Sequence, residues 1–135
     1  KQAEQAGEVP VGAIVVCEDK LIASAWNQSI TLCDPTAHAE IIALRQAAKQ
    51  LGNYRLPDVS VYVTLEPCAM CAGAMIQARI KNLVYATADP KAGAIDSVFA
   101  IAQSKALNHQ IDCRHGVLAD EASRLLKQFF QARRT

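Results

Sequence analysis

Residues 59–79 read V-S-V-Y-V-T-L-E-P-C-A-M-C-A-G-A-M-I-Q-A-R, and the fold turns on this stretch. Val59 to Leu65 is rich in β-branched residues and predicts a strand. Pro67 suits a first helical position, so a helix is expected from Pro67 through about Arg79. Leu83 to Thr87 predicts the next strand, which makes the whole a strand–helix–strand unit. Upstream, Ala37 to Leu51 carries helical spacing, with Ile41, Ile42, Leu44, Ala48 and Leu51 able to share a face. Asp34-Pro35-Thr36 offers it a start and Gly52-Asn53 a stop. Before that, the apolar run Val11–Cys17, the polar turn Glu18-Asp19-Lys20 and the segment Leu21–Trp26 predict a hairpin. Downstream, residues 88–97 are rich in turn formers, residues 110–117 predict a short strand, and Ala119 to Arg134 predicts an amphipathic helix. The order β-β-α-β-α-β-(β)-α implies an α/β fold, a mixed sheet with helices on its faces.

The chain of 135 residues suits one compact domain. Hydrophobic residues make up 51% and charged residues 20%, enough apolar side chain to bury a core, which excludes an intrinsically disordered protein. The net charge of +1 argues neither for nor against nucleic acid. Its distribution says more: Arg124, Lys127, Arg133 and Arg134 stand in the last twelve residues with no acid among them. Such a patch binds phosphate, or simply suits the negative end of a solvated helix. No apolar run reaches the roughly 18–20 residues that span a bilayer, so no membrane partner is expected. Five cysteines with one close pair make a poor disulfide framework, so reduced thiols and a cytoplasmic location are expected.

Cys68 and Cys71 lie three residues apart at a helix start, where both sulfurs share a face and the helix dipole favours thiolate. A redox dithiol, half of a structural zinc site and two ligands of a catalytic zinc all fit this spacing. A structural zinc wants four protein ligands, and Cys17, Cys33 and Cys113 are too scattered to form a second pair. His38 opens the preceding helix, and three ligands from two helix starts leave one tetrahedral position open for water. Glu40, two residues on, cannot ligate from the same helical face as His38. A carboxylate beside a metal can instead take a proton from water and deliver protons to a substrate nitrogen and a leaving group. Read singly, His38 is an ordinary structural histidine and Glu40 an exposed helix-start acid. Their joint occurrence with P-C-x-x-C is what weighs against that.

H-A-E (38–40) together with P-C-A-M-C (67–71) resembles the signature of the zinc-dependent cytidine and deoxycytidylate deaminase superfamily. The resemblance narrows further. E-V-P-V-G-A (8–13), W-N (26–27), D-P-T-A-H-A-E-I (34–41), N-Y-R-L (53–56), Y-V-T-L-E-P-C-A-M-C-A-G-A-M-I (62–76), the D-x-K-x-G-A of 89–94 and L-L-K-Q-F-F-Q-A-R-R (125–134) are similar to bacterial tRNA-specific adenosine deaminases. That resemblance implies a three-layer α/β/α fold with a mixed sheet of about five strands. It also implies adenosine-to-inosine conversion at the wobble position of a tRNA anticodon, by a homodimer holding one Zn2+ per subunit. His38, Cys68 and Cys71 match the zinc ligands, and Glu40 the proton shuttle. Asn27 matches an asparagine that bonds the base, and the Ala39 amide a second base contact. Asp89 and Lys91 match loop residues near the flipped nucleotide, and Asn108, Phe130 and Arg134 anticodon-loop contacts.

Two departures from the family pattern stand out. Only residues 1–7 precede Glu8 where relatives carry a full helix, so a truncated start is expected. Ala88 replaces an arginine of some members, and Pro90 stiffens the loop. Free-base or nucleotide deaminases acting on guanine, cytidine or deoxycytidylate share the metal signature. An RNA-binding or partner subunit without activity, and a dithiol oxidoreductase, are the readings outside that enzyme class.

Overall fold

The computed structural model describes residues 7–95, 97, 100–101, 109 and 111–115. Its five strands are β1 (Gly12–Cys17), β2 (Lys20–Trp26), β3 (Val59–Leu65), β4 (Asn82–Thr87) and β5 (Asp112–His115). Two helices, α1 (Ala39–Leu51) and α2 (Ala69–Ala78), precede β3 and β4 respectively. The sheet order is β2-β1-β3-β4-β5. β1 runs antiparallel to both β2 and β3, whereas β3, β4 and β5 are mutually parallel. The mixed sheet expected from the element order is therefore present. The final helix expected over Ala119–Arg134 lies outside the described residues.

The hairpin closes in two residues, Glu18 and Asp19, both in the left-handed region (φ 51° and 63°). That is the backbone a tight antiparallel turn demands; Asp19 tolerates it, and the twist of the flanking strands imposes it on Glu18. Registers then stack side chains in rows across the sheet. Ala25, Ala13, Val63 and Tyr85 form one row and Ala23, Val15, Val61 and Leu83 another, all buried. Ser24, Ile14, Tyr62, Val84 and Arg114 form the row between them on the opposite face, where Ile14 is 37% and Tyr62 43% exposed. The alternation is the period-two rule of a strand, with one face buried and the other partly exposed among the described residues.

Helix α1 meets this buried face differently from the expectation. Ile41 and Leu44 are buried as expected, but Leu51 is 44% exposed and Ile42 and Ala48 only half-buried, while Ala39, Ala43 and Ala47 are completely buried. Three alanines at intervals of four make a smooth ridge, which lets α1 lie close on the alanine-rich strands β1 and β2. The bulky pattern misled because close approach favours small side chains over large ones. Ala43→Leu is accordingly expected to cost about 1–3 kcal/mol through overpacking, read as a lower urea midpoint at unchanged slope. Gly52 closes α1 in the left-handed region (φ 67°), as its sequence position suggested, and Arg79 does the same for α2 at φ 60°.

Strand directions decide where chemistry can sit. Because β1 opposes β3, the start of β1 lies beside the end of β3, and the end of β2 lies beside the start of β1. Asn27 after β2, Glu66-Pro67-Cys68 after β3, and residues 88–97 after β4 thus leave the sheet at one common edge. Ligand sites in open α/β sheets form outside such strand ends.

Candidate active site and metal centre

Asp34 sets up the first half of the site. Its Oδ1 accepts from the Thr36 amide (2.8 Å) and hydroxyl (2.7 Å), a side-chain-closed turn that leads the chain into α1. His38 is the N-cap of α1 in extended conformation (φ −72°, ψ 153°), so Glu40 falls in the first turn. Cys68 is likewise the N-cap of α2 (φ −76°, ψ 177°). The expected helix start at Pro67 is thereby corrected: the proline precedes the cap, and it fixes the extended entry that aims Cys68 at α1. Both helices point the positive ends of their dipoles at the same spot.

The His38 Nδ1 lies 3.6 Å from the Cys68 Sγ and 3.5 Å from the Cys71 Sγ. Among the described residues these three form a group able to hold a metal ion, with all ligand atoms within 4.8 Å of one another. A tetrahedral ion about 2.1 Å from a nitrogen and about 2.3 Å from a sulfur leaves those atoms about 3.6 Å apart. The cluster already has that spacing, and its donors are those a thiophilic cation prefers. All five cysteines are free, so the cluster thiols are not consumed in a disulfide.

The proton arrangement of the ion-free cluster is also polarised. The hydrogen bond from Cys71, with help from His38, holds the Cys68 thiol down at about 4. The same hydrogen bond, followed by burial, pushes the Cys71 thiol well above the usual thiol range. Contact with Cys68 raises His38. Glu40 is 4% exposed, and burial raises its carboxyl above the ordinary range; Cys71 hydrogen-bonds it. A carboxyl raised above its ordinary range beside a cation site can both accept and return a proton.

Of the other expected site residues, Ala39 is fully buried one residue after His38. Asn27 is half-buried and tied in place by its neighbours: its amide donates to the Val11 carbonyl (3.0 Å), and the Gln28 amide donates to Ala37 (2.9 Å), just before His38. Asp89 spends its Oδ1 on the Lys91 and Ala92 amides, and Lys91 is exposed. Asn108, Phe130 and Arg134 lie outside the described residues.

Two buried glutamates carry roles that the sequence did not assign. Glu8 is 1% exposed and accepts from the Ile30 amide (3.1 Å), the Thr31 amide (2.6 Å) and the Thr31 hydroxyl (2.7 Å), which pins the segment following Asn27. Glu66, 2% exposed, accepts from amides of the 88–97 segment. Their partners lie 22 or more positions away, and no local pattern marks such pairs. The one available signal was an acid in each of two otherwise apolar runs, E-V-P-V-G-A and T-L-E-P-C.

Residues 1–134 match the MafB19-like deaminase family. The tRNA-specific adenosine deaminase of Haemophilus influenzae is 52% identical over 134 residues, covering 98% of this chain and 78% of that protein. The chain belongs to the tRNA-specific adenosine deaminase family. A solved structure from work on A-to-I editing by tRNA:A34 deaminases at the wobble position of transfer RNA superposes on this deaminase with a TM-score of 0.89. It is 41% identical, over 92% of this chain and 90% of that one. The guanine deaminase of Nitrosomonas europaea shares the fold more distantly, at a TM-score of 0.74 and 26% identity over 88% of this chain and 71% of that one. The cytidine deaminase-like fold expected from the signature is thus the one observed.

Proposed function

We propose that this deaminase hydrolyses adenosine to inosine at the wobble position of a tRNA anticodon, with Zn2+ as its metal. The observation that carries the chemistry is the pairing of the His38–Cys68–Cys71 cluster with a buried Glu40. The choice of tRNA adenosine is supported by likeness along nearly the whole chain to relatives bearing that name.

His38, Cys68 and Cys71 would hold the zinc. Bound there, zinc supplies a Lewis-acidic centre that makes water acidic enough to react near neutral pH. Glu40 takes a proton from the attacking water and passes it to N1 of adenine as the C6–O bond forms. Glu40 then takes the proton of the new C6 hydroxyl and passes it to the C6 amino group, the C6–N bond breaks as the C6 carbonyl forms, and ammonia leaves. One water is consumed for each ammonia released. Asn27 and the Ala39 amide hold the base edge, while Asp89, Lys91, Asn108, Phe130 and Arg134 contact the loop around it. The base must be out of its stack, and an anticodon loop makes that cheap. We further propose a single deaminase domain, a homodimer and action in the cytoplasm. Among the described residues no helix is long and apolar enough to cross a membrane.

The shared fold of the guanine deaminase sets the competing reading. Incubating the zinc-loaded protein with an anticodon stem-loop, free adenosine, guanine and cytidine separates the two. Inosine is expected in the stem-loop alone, at the wobble position. Faster release of xanthine from guanine than of inosine from RNA would overturn the assignment.

A further inference from the structure

We propose that Glu66 is the positioning residue of the substrate loop. Its buried carboxylate locks residues 89–95 and 97 to the turn that carries Cys68, and so sets how firmly the RNA is held beside the reacting base. The reference to RNA rests on the function proposed above; the lock itself rests on geometry.

Glu66 stands between the last residue of β3 and Pro67-Cys68. Its own amide donates to the Thr87 carbonyl (2.8 Å), which joins the ends of the parallel strands β3 and β4. Its Oε1 accepts from the Asp89 amide (3.0 Å) and from the Ser97 hydroxyl. Its Oε2 accepts from the amides of Ile95 (3.0 Å) and Ser97 (3.1 Å). Pro67 adds to this, its carbonyl accepting from the Ala94 amide (2.9 Å). The loop is wound tightly round the carboxylate. Asp89 Oδ1 accepts from Lys91 and Ala92, the Gly93 amide donates to the Asp89 carbonyl (2.9 Å), and a Cβ on Gly93 would strike the Glu66 carboxyl and sit 2.6 Å from the Asp89 oxygen. Gly93 is therefore required by close approach.

One carboxylate thus gathers both ends of the segment bearing Asp89 and Lys91, two residues before a candidate metal ligand. Hydrogen bonds to a charged acceptor are the strong kind. A glutamine in its place keeps one acceptor oxygen and turns an NH2 towards N–H and O–H donors, so one side of the lock is lost without a change in size. A group that orients the substrate-holding loop, and not the reacting atoms, should act on binding more than on the chemical step.

The test uses the zinc-loaded Glu66→Gln protein beside the parent, with three readouts. Hydrogen exchange, measured without RNA, is expected to speed up by about tenfold or more at the Asp89, Ile95 and Ser97 amides, and to stay unchanged in β3 and α2. Zinc stoichiometry is expected to hold. KM for the anticodon stem-loop is expected to rise about tenfold while kcat changes less than about threefold. Unchanged exchange at the three amides overturns the lock. Faster exchange throughout the sheet with loss of zinc overturns it too, since the carboxylate would then hold the fold alone. Lower kcat at constant KM overturns the positioning of substrate. If Glu66→Gln does not fold, Gly93→Ala leaves the carboxylate in place but drives a methyl into it, and the same local exchange and KM pattern is required. A parent protein inactive on every RNA would sink the proposed function, while the exchange comparison would still decide the lock.

Discussion

Glu40→Ala is expected to give a folded, metal-loaded protein whose deamination rate is lower by about 10²–10⁴-fold, the usual contribution of a positioned acid–base group. The fold should survive for a reason visible in the site. Burial raises the Glu40 carboxyl above its ordinary range. A carboxyl raised in the folded state is harder to ionise there than in the unfolded chain. Its contribution to stability therefore falls as pH climbs through its unfolded value, and at neutral pH the ion-free protein carries a penalty. Removing the carboxyl lifts that penalty, and water can fill the polar space left behind. The thermal midpoint of metal-free Glu40→Ala should thus equal or exceed that of the metal-free parent. Metal content, thermal midpoint and single-turnover rate together check this. A variant that loses metal and fold would make Glu40 a structural residue, and one that deaminates at near-parental rate would remove it from the chemistry.

Much of this site was legible because its elements are short-range. Cys68 and Cys71 share one turn of α2, and His38 and Glu40 share the first turn of α1. The strand order that brings the two helix starts together follows from a hairpin feeding a strand–helix–strand unit. What stayed hidden was set by partners far along the chain. Glu8 and Glu66 hold loops 22 to 31 positions away, and a carboxylate that will cap distant amides looks like any other acid in sequence. The buried face of α1 was hidden for a different reason. Of the large side chains expected on it, Ile41 and Leu44 are buried but Ile42 and Leu51 are not, and close contact with an alanine-rich sheet adds Ala39, Ala43 and Ala47. Glu18 shows the same override, since the strand twist holds positive φ on a residue with little preference for it, whereas Asp19 tolerates it.

Stripping the metal is the change expected to move both activity and stability furthest. An ion that binds the folded protein alone stabilises it by RT ln(1 + [M]/Kd), about 4 kcal/mol at a thousandfold excess over Kd. For a chain of this length the thermal midpoint should then fall by about 10 °C or more after chelation. Cys71→Ser should reproduce that loss, because a serine hydroxyl does not ionise at neutral pH and only His38 and Cys68 would remain as donors. Metal analysis is expected to give about one zinc per parent chain and near none for Cys71→Ser, with activity lost in step. The dithiol reading predicts the reverse on each count. The Cys68 and Cys71 sulfurs lie within 4.8 Å of one another, and a thiol held at about 4 is a competent nucleophile, so the metal-free pair is open to oxidation. If that were the function, the protein purified with zinc present would hold no stoichiometric metal and would cycle reversibly between dithiol and disulfide. Full deamination by zinc-loaded protein in excess reductant, and none after oxidation of the metal-free form, is the result required of a metal centre.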